Sequence, residues 1–266
     1  MEQRTNIYFA SDFHLGVPNR EQSLAREKLL VSWLDEVKQD AREIFLLGDV
    51  FDFWFDYEYV VPKGFVRLLG KIAEITDSGI PVHMFPGNHD MWNNGYFEQE
   101  LGVTFHAGFY QFKASGKQFL LHHGDGIGPG DHGYKFIKKI FTNSILQKLF
   151  KWFHPDLGVG LANFWSRQSS KKTRSKDAIY HGKNEEWLVQ FCEDYPKENP
   201  DQPDYFIFGH RHLALDITLS NNKSRYLNLG DWLSQNTYAK FDGEDLKLYR
   251  YPAKGKHEIA TNLPSG

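Results

Sequence analysis

Short motifs rich in aspartate and histidine recur along this 266-residue chain, and their side chains are of the types that bind metal ions. Carboxylate, amide and imidazole groups together favour divalent Mn, Fe, Zn, Co or Ni over Ca²⁺ and Mg²⁺. No motif contains a thiolate, which disfavours a structural zinc site. The five motifs are Asp12-Phe13-His14, Gly48-Asp49, Gly87-Asn88-His89-Asp90, His123-Gly124-Asp125 and Gly209-His210-Arg211-His212.

Each motif alone has an ordinary structural explanation. An isolated Asp-x-His is usually a solvated turn, Gly-Asp after a strand is commonplace, and Gly-Asn-His-Asp could be a turn closed by its asparagine. A His-x-His pair places both rings on one strand face without requiring a ligand. What these explanations do not supply together is the order of the motifs, their completeness and their placement at strand ends.

The predicted elements explain how separated motifs could meet. Apolar strands are predicted at 6–11, 43–50 and 81–85, with amphipathic helices over 21–39 and 64–77 between them. This β-α-β-α-β order indicates a mainly parallel sheet, and the carboxyl ends of such strands form one ligand-binding edge. Further strands are predicted at 103–112, 117–123, 204–208, 213–219 and 225–229.

Residues 134–183 interrupt this pattern and are predicted to form a helical insertion. Residues 135–183 carry eleven Lys and Arg against two acids, a balance of +9 in a chain of net charge −3. Large apolar residues crowd the first half of the insertion. It could therefore be a solvated face packed on the body, a polyanion-binding surface, an acyl-binding chamber or a membrane-facing surface. Nucleic acid is disfavoured, because no nucleic-acid-binding motif is present.

The cysteine content and the first residues of the chain predict the cellular compartment. The single cysteine, Cys192, permits no internal disulfide and is expected to be a buried small hydrophobe in a reducing cytosol. The first residues lack the basic and apolar regions of a signal peptide, and no apolar run reaches about 18 residues. These features predict a cytoplasmic protein.

The five motifs resemble those of the calcineurin-like metallophosphoesterase superfamily: D-x-H, G-D, G-N-H-[DE], H and G-H-x-H. The resemblance implies that one metal is held by Asp12, His14, Asp49 and His212, and a second by Asp49, Asn88, His123 and His210, with Asp49 bridging. It implies attack on phosphorus by a hydroxide bridging two cations about 3.5–4 Å apart. His89 would stabilise charge or protonate the leaving group, Asp90 would orient His89, and His122 would point away from the metals.

A narrower resemblance concerns the substrate. GDVFDFWF at 48–55, and the HGD motif followed by Gly133-Tyr134, resemble the UDP-2,3-diacylglucosamine diphosphatases of lipid A synthesis, although many of those have Arg where this chain has His89. The resemblance implies cleavage of UDP-2,3-diacylglucosamine to UMP and 2,3-diacylglucosamine 1-phosphate, with Mn²⁺, on the cytoplasmic face of the inner membrane. Substrate contacts in the insertion would be Tyr134, Arg167, Lys171, Lys172, Arg174 and Lys176.

The resulting expectation is an α/β metallophosphoesterase sandwich of mixed β-sheets flanked by helices. Its core would comprise 1–133 and 184–252, with a helical cap at 134–183 and a loosely held tail at 253–266. Alternatives are a soluble phosphodiesterase, nucleotide pyrophosphatase or phosphoprotein phosphatase on the same scaffold and, more remotely, a non-catalytic scaffold. The oligomeric state is left open.

Overall fold

The structure, a computed structural model, describes residues 4–128, 143–160, 180, 182–198 and 202–252. The helices whose bounds the structure gives are α1 (Arg20–Val37), α2 (Val66–Asp77), α3 (Tyr96–Leu101), α4 (Ser144–Lys151) and α5 (Trp187–Glu198). The strands are β1 (Asn6–Ala10), β2 (Ala41–Leu47), β3 (Val82–Phe85), β4 (Thr104–Phe105), β5 (Tyr110–Ala114), β6 (Lys117–His122), β7 (Tyr205–Phe208), β8 (Ala214–Thr218), β9 (Arg225–Leu229), β10 (Thr237–Phe241) and β11 (Leu246–Arg250).

Two mixed sheets form the centre of the molecule. The first has the order β11-β10-β1-β2-β3-β4, and the second has the order β5-β6-β7-β9-β8. Strands β1 to β4 run parallel, as the β-α-β-α-β pattern predicts, and β10 closes on β1 in the antiparallel sense. In the second sheet β6, β7 and β9 are parallel. The predicted α/β sandwich of mixed sheets is confirmed.

Apolar side chains hold the layers together. Phe9 and Phe45 of the first sheet meet Phe119 and Ile207 of the second in a buried cluster between the sheets. The outer face of the first sheet is covered by α1 and α2, which contribute Trp33, Leu68 and Ile72 among others. On the outer face of the second sheet, α5 places Leu188 and Cys192 against Phe206, so the prediction that Cys192 is buried is confirmed. Helices therefore flank both sheets.

The predicted strand at 103–112 is wrong as a single element. Thr104–Phe105 pairs with β3 in the first sheet, whereas Tyr110–Ala114 pairs with β6 in the second. The chain crosses from one sheet to the other between them, and continuous strand propensity does not reveal such a crossing.

Part of the predicted helical cap falls within the described residues. It includes α4 and a further helical run at 155–160. Phe150 of α4 packs on Phe55 and Trp92 of the body, with ring centroids 4.8 and 5.0 Å apart. The predicted tail at 253–266 and most of the remaining cap lie outside the described residues, so the domain boundaries stay predictions. Across the described residues no helix combines the length and apolar character that crossing a membrane requires.

Candidate metal centre

The loops that carry the five motifs begin where central strands end. Asp12 follows β1, Asp49 follows β2, and Asn88 follows β3, three parallel neighbours of the first sheet. His123 and His210 follow β6 and β7, parallel neighbours of the second sheet. Backbone hydrogen bonds from Asp12 to Gly48 (3.1 Å) and from Gly209 to His123 (2.8 Å) join adjacent loops within each sheet. All five motifs therefore meet at one edge of the sandwich.

One group of ligand atoms contains Asp12, His14 and His212. Nε2 of His212 lies 3.2 Å from Asp12 Oδ1 and 3.1 Å from His14 Nε2. His14 Nε2 in turn lies 3.8 Å from Asp12 Oδ1 and 3.6 Å from Asp49 Oδ2. Such spacing suits ligand atoms that surround one cation, because bonds of about 2.0–2.2 Å leave neighbouring ligands about this far apart.

A second group lies on the other side of Asp49. His123 Nε2 is 3.4 Å from both Asp49 Oδ2 and Asn88 Oδ1, and His210 Nδ1 is 3.0 Å from Asn88 Oδ1. Asp49 Oδ2 is thus within 3.6 Å of a histidine nitrogen in each group. The structure brings together all seven residues that the motifs predict as ligands, with the Asp49 carboxylate between the two groups.

The ring orientations leave the correct nitrogens for metal ions. His123 Nδ1 lies 2.7 Å from the Leu47 carbonyl oxygen, so Nδ1 carries the proton and Nε2 faces Asp49. His14 Nδ1 faces Asp52 Oδ1 at 3.4 Å, which leaves its Nε2 toward Asp12 and Asp49. Carboxylates and carbonyls behind histidine ligands fix the ring tautomer in this way. The residues present fit a pair of divalent cations.

The carboxylates dominate the electrostatics of the centre. Burial lowers the pKa of His14, but Asp12, Asp52 and Asp49 outweigh it and raise that pKa to about 10. Burial likewise lowers the pKa of His123, but Asp49 outweighs it and raises that pKa to about 10. Although burial would raise the pKa of the Asp49 carboxyl, His123 and His89 hold it well below its usual range. Protons on these rings therefore occupy the place that cations would take.

Backbone strain is concentrated at the ligands. Asp12, His14, Asp49, His210 and His212 all have φ between 44° and 69°, a left-handed conformation that costs a non-glycine residue about 1–2 kcal/mol. These are five of nine such residues in the described part of the chain. Strain of this kind persists where the surrounding structure enforces it, and it clusters at functional sites.

Asp90 holds the ligand loops together. Its Oδ1 accepts hydrogen bonds from the backbone N–H groups of Asp49 (3.2 Å) and Gly87 (2.7 Å), and its Oδ2 accepts from Val50 (2.7 Å) and Phe51 (3.2 Å). Burial, followed by the charge of Asp49, raises the pKa of Asp90 to about 7. The expectation that Asp90 orients the His89 ring is replaced, because its contacts are with the backbone after β2 and β3.

The partner of the His89 ring is Asp52. His89 Nδ1 lies 3.0 Å from the Asp52 carbonyl oxygen and 3.8 Å from its carboxylate. The ring stands edge-on to His14 with centroids 5.0 Å apart, and the backbone N–H of His89 donates to Asp49 Oδ1 at 2.9 Å. The side chain remains 17% exposed. His89 thus lies at the open side of the first ligand group.

Three further residues, to which the five motifs assign no role, lie behind the ligands and His89. Asp52 lies behind His14 and His89, Asp231 Oδ2 lies 3.8 Å from His212 Nδ1, and Gln235 Nε2 donates to the His212 carbonyl oxygen at 2.5 Å. Asp52 had a signal, since it follows Asp49 by three residues in GDVFD. Asp231 and Gln235 lie in a turn after β9, and no comparable sequence pattern marks them.

The remaining predicted residues fall into two sets. His122 Nδ1 accepts a hydrogen bond from the Gly124 backbone at 2.9 Å, and its ring stacks on Phe109 at 4.4 Å, outside both ligand groups. The predicted substrate-contacting residues of the cap lie outside the described residues: Tyr134, Arg167, Lys171, Lys172, Arg174 and Lys176.

Comparison with known proteins agrees with this geometry. The sequence model of the calcineurin-like phosphoesterase family matches residues 5–214. The chain belongs to this family. The matched range contains all five motifs, and the enzyme is accordingly a metal-dependent hydrolase with groups of aspartate and histidine that could hold divalent ions.

Named relatives of this phosphoesterase cover nearly its whole length. A UDP-2,3-diacylglucosamine hydrolase of Porphyromonas gingivalis is 40% identical over 92% of this chain and 97% of its own. Another protein of that name, from Haemophilus ducreyi, is 29% identical over 85% of this chain and 91% of its own. Among solved structures, the phosphoesterase Yfce from E. coli has a TM-score of 0.47 at 15% identity, covering 96% of this chain and 97% of that chain.

Proposed function

We propose that this phosphoesterase hydrolyses the pyrophosphate of UDP-2,3-diacylglucosamine and releases UMP and 2,3-diacylglucosamine 1-phosphate. The observation that carries the proposal is the near full-length similarity, at 40% identity, to a protein named for this hydrolysis, in a chain whose ligand set is complete. A soluble phosphodiesterase or phosphoprotein phosphatase would use the same centre, but the named relatives favour the lipid-linked nucleotide sugar.

The ligand assignment follows from the two groups of side chains. Asp12, His14 and His212 would hold one cation, Asn88, His123 and His210 the other, and the Asp49 carboxylate both. We propose Mn²⁺ for both positions, since mixed oxygen and imidazole ligands suit it. Two such cations, when bound, polarise the phosphoryl oxygens and lower the pKa of a bound water.

We propose that His89 donates the proton that the leaving sugar phosphate requires. Nδ1 donates to the Asp52 carbonyl oxygen, which fixes the ring and leaves Nε2 to hold or deliver a proton at the substrate. Asp52 supports His14 as well as His89, so it couples the ligand group to the proton donor. Asp90, by holding the loops after β2 and β3, keeps Asp49 and Asn88 in register.

We propose that the cap binds the lipid portion of the substrate. Leu149, Trp152, Phe153 and Leu157 are 57–89% exposed on the described part of the cap, although they are large and apolar. Exposed patches of this kind mark binding or membrane surfaces. We propose that this part of the cap meets acyl chains at the cytoplasmic face of the inner membrane, and that Tyr134 and the basic residues between Arg167 and Lys176 contact the sugar and phosphates.

Product analysis tests the proposal. Purified protein with Mn²⁺ should release UMP from UDP-2,3-diacylglucosamine, and Asp49→Ala should abolish release because both cations lose a ligand. Asp77→Ala, an exposed carboxylate at the end of α2, is the matched control and should retain activity. Absence of UMP with the lipid substrate, alongside rapid turnover of bis-nucleotides or a phosphopeptide, would show that the assignment is wrong.

A further inference from the structure

A cavity of about 320 Å³ lies beside the metal centre, between the loop after β3, the β4–β5 connection and the end of β6. Of the seven candidate ligands, only His123 lines it. Its walls include Phe85, Phe105, Met91, Asn93, His122 and Asp125. The volume is at the lower end of the range for small-molecule sites, about 300–1,000 Å³.

The cavity opens directly from the second ligand group. Gly87 and His123 line it, and His123 is a candidate ligand whose Nε2 lies 3.4 Å from Asp49 Oδ2. Gly87 is equally close, because a Cβ at this position would overlap the Asp49 carboxylate. A phosphate held between the two groups would therefore have the cavity next to it on the side of His123.

The cap lies on the opposite side of the same loop. Met91 and Asn93 line the cavity, whereas the intervening Trp92 packs against Phe55 and against Phe150 of the cap. The segment 91–93 consequently lies between the cavity and the described part of the cap. A substrate with a different group on each side of its scissile phosphate could place one group in the cavity and the other toward the cap.

The chemistry of the walls distinguishes which group enters the cavity. Phe85, Phe105 and Met91 supply apolar surface, while Asn93, Asp125 and His122 supply polar atoms. Among the described residues that line the cavity none is Lys or Arg, whereas Glu98 and Asp125 are acidic, so these walls do not favour a further phosphate. Its volume is also small for two acyl chains. A planar base with a hydroxylated sugar combines faces for apolar contact with edges for hydrogen bonds.

We infer that this cavity binds the nucleoside of the substrate, while the diacylated sugar extends toward the cap. The inference rests on the proposed function, because it assumes that a nucleoside is one of the two groups on the scissile pyrophosphate. His122 thereby acquires a place: its ring, stacked on Phe109, forms one wall beside the metal ligand that follows it in sequence.

Gly108 offers a way to fill the cavity without disturbing the ligands. It lines the cavity, a Cβ there would meet nothing within 4 Å, and its φ lies outside the left-handed region. Gly108→Trp should therefore fold and place an indole at the mouth. Ala107→Trp, at the exposed neighbouring wall position, serves as a second blocking variant. Gly70→Trp, on the exposed face of α2 with equally open space, is the matched control.

Calorimetry with UMP and with inorganic phosphate, on Mn²⁺-loaded protein, separates nucleoside binding from phosphate binding. Wild type and Gly70→Trp should bind UMP at least about tenfold more tightly than phosphate, the order of magnitude that base stacking supplies. In Gly108→Trp and Ala107→Trp this advantage should disappear while phosphate affinity changes less than about twofold. Equal affinity for the two probes in wild type, or an undiminished UMP advantage in both blocking variants, would overturn the inference.

The calorimetric result and the test of the proposed function can be distinguished from each other. If UDP-2,3-diacylglucosamine releases no UMP but free UMP binds in a manner that Gly108→Trp abolishes, the lipid substrate is wrong and the nucleoside site stands. If UMP is released normally and both blocking variants bind it as wild type does, the function stands and the cavity has no part in nucleoside binding.

Discussion

A buried ion pair beside the metal centre provides the sharpest prediction about stability. Arg211 lies between His210 and His212, and its guanidinium is paired with Glu186 immediately before α5. Arg211 Nε donates to Oε1 at 2.9 Å and Nη2 donates to Oε2 at 3.1 Å. The two side chains are only 11% and 2% exposed. The pair therefore ties the loop of the two histidines to the segment that leads out of the cap.

Arg211→Met removes both charge-assisted hydrogen bonds, each of which contributes about 1.5–3 kcal/mol. It also leaves the Glu186 carboxylate buried without this partner, and broken buried pairs typically cost about 3–5 kcal/mol. We expect the free energy of unfolding to fall by about 3–5 kcal/mol. Urea denaturation measures the free energy of unfolding. A chelator is included because bound metal would add its own stabilisation.

The matched control is an Arg–Glu pair with a similar N–O distance, whose arginine is exposed at the surface. Arg42 Nε lies 3.0 Å from Glu43 Oε1, but the Arg42 side chain is 47% exposed. Arg42→Met should lower the free energy of unfolding by less than about 1 kcal/mol. The double variant Arg211→Met/Glu186→Leu should recover much of the loss, since it leaves no buried charge.

The pair should also affect metal binding, because His210 and His212 flank Arg211 and both have left-handed backbones. Groups that support metal ligands typically affect metal affinity about 10–100-fold, so Arg211→Met should weaken Mn²⁺ binding to that extent in calorimetry. An Arg211→Met protein as stable as Arg42→Met, with wild-type metal affinity, would refute the reasoning that the buried pair positions the histidines.

Further predictions concern the metal centre itself. Gly87→Ala should weaken metal binding about 10–100-fold in calorimetry, because its Cβ would overlap the Asp49 carboxylate, whereas Gly70→Ala should not; unchanged affinity would contradict the overlap. Asp52→Asn removes the charge 3.4 Å from His14 Nδ1 and should lower activity about 10–100-fold and shift its pH profile, and a wild-type profile would deny Asp52 this role. Because the pKa values of His14 and His123 are raised to about 10, metal binding at pH 8 should release protons, seen as a binding heat that varies with the ionisation enthalpy of the buffer. Because the folded-state pKa values of His14 and His123 are raised, the two protonated rings contribute fully to the stability of the metal-free fold below about pH 6.5. This contribution is lost as pH rises through about 10.

The elements around the centre were predictable because local patterns specify them. The apolar runs that became β1, β2 and β3 end at Asp12, Asp49 and the Gly87 loop, and parallel pairing follows from the helices between them. The short helix α3, between Gly95 and Gly102, has only six residues, too few to show helical periodicity. Strands β10 and β11 alternate buried and half-exposed residues, and the pairing of β10 with β1 depends on a partner far away in sequence.

The residues behind the histidine ligands could not be predicted, because contacts between loops that are distant in sequence place them there. Asp52 faces His14 only because the loop after β2 folds back on the loop after β1, with the Asp52 N–H donating to the Leu15 carbonyl oxygen at 2.9 Å. Asp231 reaches His212 across a turn after β9. Residue types and spacing identify side chains able to bind metals, whereas the groups behind them are set by long-range contacts between loops.

The backbone strain at the ligands explains why so much of this structure is devoted to holding the loops. Five left-handed residues at about 1–2 kcal/mol each sum to about 5–10 kcal/mol, comparable with the net stability of a whole domain. Hydrogen bonds across loops oppose relaxation: Asp90 accepts from both sides of the β2–β3 edge, the Trp232 N–H donates to the Asp12 carbonyl at 3.0 Å, and Gln235 donates to the His212 carbonyl. A relaxed backbone would turn the ligand side chains away from one another. The strained backbone therefore points five of the seven ligand side chains at the two positions, and bound cations would stabilise the conformation that the loops already enforce.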